Sequence, residues 1–116
     1  MSKWFKREEF SCPCCGENLV KTSLIDKLDV AREQAGVPFV ITSGYRCPKH
    51  NEAEGGVPNS SHTKGYAADI KVNGSRDRFA VVQGLVIAGF NRIGVAKDFV
   101  HADIDPDSPP DVLWTY

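Results

Sequence analysis

Long apolar runs, an excess of charge of either sign and internal repetition are all missing from this chain. Its longest apolar run, Leu85-Val86-Ile87-Ala88 with its neighbours, is broken by Gly84 and Gly89 and is too short to cross a bilayer. Lys and Arg number 14 against 15 Asp and Glu, a net charge of -1, so there is no basic stripe and nucleic acid is disfavoured as a partner. The opening segment, Met1-Ser2-Lys3-Trp4-Phe5-Lys6-Arg7-Glu8-Glu9, lacks the apolar stretch of a secretory signal, which points to synthesis in the cytoplasm. No heptad, low-complexity tract or inter-domain linker is present. The 116 residues therefore support one domain, 1–116, built on one core and expected to be a monomer. A hydrophobic share of 41% beside 25% charged residues is ordinary for a soluble globular protein.

The four cysteines are placed irregularly. Cys12, Cys14 and Cys15 crowd together, Cys47 stands alone before Pro48, and the spacing is not that of the paired C-x-x-C motifs of a zinc ribbon. Three readings remain open: a disulfide from Cys47 to one of the three, a four-thiolate structural zinc, or reduced, partly buried thiols. With no secretory signal the last is favoured over either of the others.

Along the chain, residues 1–18 are mixed and turn-rich, with Trp4, Phe5 and Phe10 as expected anchors. Leu24, Leu28, Ala31 and Ala35 recur at helical spacing, with Thr22 or Ser23 as cap, Gly36 as stop and Pro38 beyond it. Phe39-Val40-Ile41-Thr42 reads as a buried strand, and the Gly-, Pro- and Asn-rich stretch from Tyr45 to Thr63 as a long loop. Ala67 to Val72 is expected to be a strand. A second helix then runs from a Ser75 cap to Gly89, with Phe79, Val82 and Val86 on its apolar face. Asn91 to Val95 and Phe99 to Ile104 read as an antiparallel pair. The proline-stiffened tail ends in Val112-Leu113-Trp114-Thr115-Tyr116, whose aromatics are expected to pack on the core. The order of elements predicts an α+β domain, an antiparallel sheet with two main helices.

The chemistry-bearing residues fall in two clusters. Ser60-Ser61-His62-Thr63-Lys64-Gly65-Tyr66-Ala67-Ala68-Asp69 brings an imidazole to the start of a strand headed by a carboxylate, and Asp98-Phe99-Val100-His101-Ala102-Asp103 follows about thirty residues later. Period-two alternation puts His101 and Asp103 on one strand face, and Asp69 can share it. Two imidazoles and a carboxylate are the ligand count of a catalytic zinc site that keeps a fourth position open. Asp103 suits the orientation of a ligand imidazole. Asp98 can enter the same cleft as an acid–base group, and Arg46 can hold a substrate carboxylate or a developing oxyanion. His50 is a further candidate ligand, but Pro48-Lys49-His50-Asn51 reads better as polar loop. Taken singly, each residue is as well explained as a cap, a solvated charge or a surface histidine.

A resemblance carried by the combined pattern favours the metal site. Ser60-x-His62-x-x-Gly65-x-Ala67-x-Asp69 with Asp98-x-x-His101 resembles the paired signature of the M15 metallopeptidases, and Ser43-Gly44-Tyr45-Arg46-x-Pro48-x-x-Asn51 resembles the S-G-Y-R segment that precedes it. That family contains zinc D-alanyl-D-alanine carboxypeptidases, D-Ala-D-Ala dipeptidases of vancomycin resistance and phage L-alanyl-D-glutamate endolysins. The likeness spans roughly residues 39 to 106. It implies His62, Asp69 and His101 as ligands of one catalytic zinc, with Asp98 in the place of the general base, where many members carry Glu. It implies Arg46 as the arginine supporting substrate or transition-state charge, with Ser60 and Asp103 as supporting or substrate-binding residues. The implied fold is the α+β domain of the hedgehog and D,D-peptidase type.

The expected function is a peptidase of peptidoglycan stem peptides that reaches the cell wall by phage- or holin-type delivery, either a D,D-carboxypeptidase or an endopeptidase. The rival from another class is a zinc-binding phage structural or wall-binding module without turnover. A thiol or redox protein built on the cysteines is the outside reading.

Overall fold

The computed structural model describes residues 3–116; Met1 and Ser2, part of the expected turn-rich N-terminal stretch, lie outside the described residues. Its elements are α1 (Thr22–Ala35), β1 (Ile41–Ser43), α2 (Pro48–Ala53), β2 (Ala67–Lys71), α3 (Gly74–Ile87), β3 (Arg92–Val95), β4 (Phe99–Asp103) and β5 (Val112–Thr115). Two 3-10 turns, Arg7–Phe10 and Ser61–Lys64, complete the set. The strands form one sheet in the order β1-β2-β4-β3-β5, antiparallel except for the parallel β3–β5 pair. The domain is α+β, as the order of elements predicts.

Strand alternation divides the sheet into two faces. Ala68, Ile70, Val100, Ala102 and Ile93 point to the helices and join Leu24, Leu28, Ala31, Val81 and Leu85 in one core. The helices meet closely because Gly84 lacks a side chain: a Cβ there would lie 2.4 Å from the Ala31 carbonyl oxygen. Phe5 and Phe10 are buried in the same core, whereas Trp4 lies on the outside of α1, with the Arg32 guanidinium 3.9 Å from its ring centroid. The opposite face of β2 and β4 carries Asp69, His101 and Asp103, all buried polar groups.

Several local expectations need correction. α1 is capped by Lys21 without a side-chain hydrogen bond, and Thr22 is already helical; Gly36, at φ 71°, ends the helix as expected. The strand after it is Ile41–Ser43, displaced towards the C-terminus, and it lies at the sheet edge with Thr42 exposed. The stretch from Tyr45 to Thr63 is not all loop. Pro48, whose missing N–H costs nothing at the first helical position, starts α2 behind Cys47, and Ser60 caps the second 3-10 turn. α3 buries Val81, Gly84 and Leu85, while Phe79 and Val86 of the expected apolar face are 66% and 57% exposed. Apolar residues surround this helix on most sides, so periodicity alone could not select its inner face. The tail aromatics pack on the polar face of the sheet rather than on the core, because β5 adds to β3 as a parallel strand.

Among the described residues, no helix is long and apolar enough to cross a membrane.

Candidate metal centre

One row of residues crosses the sheet through the site. Ser43 on β1 pairs with Asp69 on β2, Asp69 with His101 on β4, His101 with Gly94 on β3, and Gly94 with Trp114 on β5. Gly94 leaves space that the Trp114 ring fills: a Cβ at 94 would stand 2.4 Å from the indole Nε1. The Trp114 ring then lies 5.3 Å from the His101 imidazole, centroid to centroid. In the next row Ala67 faces Asp103 across the β2–β4 ladder, so on the β2 side the residue opposite the carboxylate offers only a methyl group.

His62 arrives from the 3-10 turn between α2 and β2. The Ser60 hydroxyl accepts from the His62 backbone N–H at 3.3 Å, and Gly65 closes the turn at φ 80°. Gly65 also lies against the chain before α1, where a Cβ would be 2.0 Å from the Leu19 carbonyl oxygen. Both motif residues thus shape the turn that carries His62. A further tether comes from Asp105, whose carboxylate accepts from the Ser61 hydroxyl at 2.8 Å and from the Lys64 ammonium at 3.2 Å.

The outer hydrogen bonds select the tautomers. The Gly44 carbonyl can only accept, so His62 donates to it from Nδ1 at 2.8 Å and keeps a lone pair on Nε2. His101 donates from Nε2 to Asp103 Oδ2 at 2.7 Å, which leaves the Nδ1 lone pair facing inward. His62 Nε2 stands 3.3 Å, and His101 Nδ1 3.0 Å, from the same oxygen, Asp69 Oδ1. Three buried lone-pair donors therefore face one another, an arrangement that needs a cation or a proton at its centre.

A tetrahedral zinc with bonds of about 2.0–2.1 Å spaces its ligand atoms roughly 3.3 Å apart. The separations of 3.3 and 3.0 Å fit that edge, and His62, Asp69 and His101 form one of two groups of closely spaced ligand atoms among the described residues. Protons compete for the same point. Burial would lower the His101 pKa, but the Asp103 and Asp69 carboxylates outweigh it and raise it. Burial would likewise raise Asp69, yet with protons on those inward nitrogens the hydrogen bonds from His101 and His62 hold it well below the usual carboxylate range.

Arg46 completes the charge arrangement. Its Nη2 lies 3.4 Å from Asp69 Oδ2, the oxygen not turned to the imidazoles, and its Nε donates to the Ser43 hydroxyl at 2.9 Å. Arg92 and Asp103 pair at 2.6 Å, which fixes the carboxylate that orients His101. The point between the three donors opens into a cavity of about 480 Å³ whose wall includes Arg46, Glu54, Ser60, Arg92, Trp114 and Tyr116.

Of the residues singled out from sequence, His62, Asp69, His101, Asp103, Arg46 and Ser60 are brought to this one place. Asp98 is not. It is exposed in the bend just before β4, outside the strand, and does not line the cavity. His50 pairs with Glu54 at 3.6 Å and takes no part in the cluster. Arg92, Trp114 and Glu54 also line the cavity, though no sequence motif marks them as site residues. Arg92 and Trp114 reach the site only through pairings across the sheet, which leave no local signal.

A family model described as Peptidase M15 matches residues 3–103 of the chain. No curated protein matches it.

Proposed function

Because the chain belongs to the Peptidase M15 family, we propose that it is a zinc-dependent peptidase acting on peptidoglycan stem peptides. The observation that carries the reading is the convergence of His62 Nε2, Asp69 Oδ1 and His101 Nδ1 on one point at the base of an open cavity. Zinc bound there would supply a Lewis acid for the scissile carbonyl and make water nucleophilic near neutral pH.

The chain's own residues do the rest. Asp103 and the Gly44 carbonyl hold the two imidazoles in the tautomers that present lone pairs inward. Arg46 neutralises the second oxygen of Asp69 and places a fixed positive charge on the cavity wall, suited to a substrate carboxylate or a developing oxyanion. Trp114 covers one side of His101 and limits water on that flank. Proton transfer to the leaving amine has two claimants: Asp98 by its place in the motif, and Glu54 by its place on the cavity wall.

Digestion of purified sacculi, with mass spectrometry of the released fragments, tests the reading. Released free D-Ala identifies a carboxypeptidase and cleaved Ala-Glu bonds an endopeptidase; either activity should vanish with chelator and return with zinc. Zinc binding with no cleavage of any stem peptide overturns it. The exposed position of Asp98 is the one observation that favours the alternative, a zinc-binding module on this fold without turnover.

A further inference from the structure

A second set of metal-ligating atoms lies apart from the cavity. Cys12, Cys14 and Cys15 occupy the turn after the first 3-10 segment, and Cys47 sits between Arg46 and α2. Their four sulfur atoms all lie within 4.8 Å of one another, with Cys12 to Cys14 at 3.6 Å and Cys14 to Cys47 at 3.2 Å. All four are free. A disulfide would need a separation of about 2.05 Å. Thiolates around a tetrahedral zinc, at about 2.3 Å each, stand roughly 3.8 Å apart. The observed spacing matches the second geometry.

The backbone is arranged to suit. Cys12 donates its N–H to the Glu17 carbonyl, and Gly16 donates to the Cys12 carbonyl, both at 2.8 Å, so the turn closes on itself with its sulfurs gathered. The N–H of Cys47 points at Cys12 Sγ and that of His50 at Cys47 Sγ, each at 3.4 Å. Donors of this kind orient sulfur ligands and stabilise their thiolate form.

We propose that Cys12, Cys14, Cys15 and Cys47 bind a structural zinc ion. Four protein thiolates close the coordination shell, leaving no position for substrate, and the thiol protons leave to solvent as the metal enters. Cys47 is adjacent to Arg46, so the ion would fasten the N-terminal turn to the wall of the cavity. That junction is already close-packed: Tyr45 donates its N–H to the Phe10 carbonyl at 2.8 Å, and a Cβ on Gly44 would meet the Phe10 backbone at 2.6 Å. Gly44 in turn accepts from His62. The thiolate site would thus hold the loop that positions both Arg46 and one histidine.

This inference does not depend on peptidase activity, and its test separates the two sites. The full-length Asp69→Ala chain, purified under reductant, should retain about one equivalent of zinc, released by an organomercurial that titrates the thiols. Its cobalt-substituted form should show intense thiolate-to-cobalt charge-transfer absorption. Cys14→Ser should lose that absorption; if it fails to fold, mercurial release from the Asp69→Ala chain gives the same answer. Free reaction of all four thiols at the same rate with and without chelator overturns the proposal. So does an Asp69→Ala chain that holds no zinc, that holds iron instead, or whose mass shows disulfides.

Discussion

His101 donates from Nε2 to Asp103, two residues along the same strand, at 2.7 Å, while its Nδ1 faces Asp69 across the β2–β4 ladder at 3.0 Å. One imidazole thus joins a partly buried Arg92–Asp103 pair to the point where the three donors meet, and its orientation is set from behind.

Replacing Asp103 tests that orientation. In Asp103→Asn the side chain keeps its size but loses the negative charge that fixes the tautomer. Zinc affinity at the histidine site, measured by competition with a chromogenic chelator, should fall by about 10- to 100-fold. An unchanged affinity would show that the His101 ring is held by Trp114 and the ladder alone.

Gly94 is expected to be intolerant of a side chain. Gly94→Ala places a methyl group against the Trp114 indole and must displace the ring or the β5 edge. A destabilisation of about 1–3 kcal/mol is expected by chemical denaturation, with a shift in tryptophan emission as the ring moves. Wild-type emission and stability would refute the tight Gly94–Trp114 contact.

Asp98→Ala and Glu54→Gln divide the acid–base role. Asp98 is exposed and off the cavity wall, so its removal should change stability by less than about 0.5 kcal/mol and leave zinc bound. On geometry, Glu54→Gln should carry the larger loss of kcat, about 10²- to 10⁴-fold. If that loss falls on Asp98→Ala instead, with zinc retained, the β3–β4 turn must move over the substrate during turnover.

Asp105 should make the His62 turn sensitive to acid. Burial would raise its pKa, but the Asp107 N–H, the Ser61 hydroxyl and the Lys64 ammonium more than offset this and lower it. A carboxylate depressed in the folded state stabilises above its unfolded value of about 3.9, and that contribution is lost as pH falls through the folded value. Asp105→Asn should therefore melt below wild type near neutral pH, and the gap should narrow as the pH drops below about 4. A gap independent of pH would mean that Asp105 acts by packing rather than by charge.

Much of this molecule can be read from the order of its residues. Spacing offers His62, Asp69 and His101 as candidate donors, because strand period two and a glycine-closed turn are local properties of the chain, and the resemblance of their segments to the M15 signature names them as one set. Helix α1, its glycine stop and the β3–β4 hairpin are legible for the same reason. Tertiary structure alone decided the remainder. Which side of α3 faces inward depended on where Gly84 could meet Ala31, a contact between helices far apart in sequence. Arg92 and Trp114 became part of the site only through the β3–β4 and parallel β3–β5 pairings, and no local pattern records a partner strand. Asp98 shows the reverse: a motif fixes its distance along the chain from His101, but it falls in the bend before β4, where the course of the β3–β4 connection leaves it exposed.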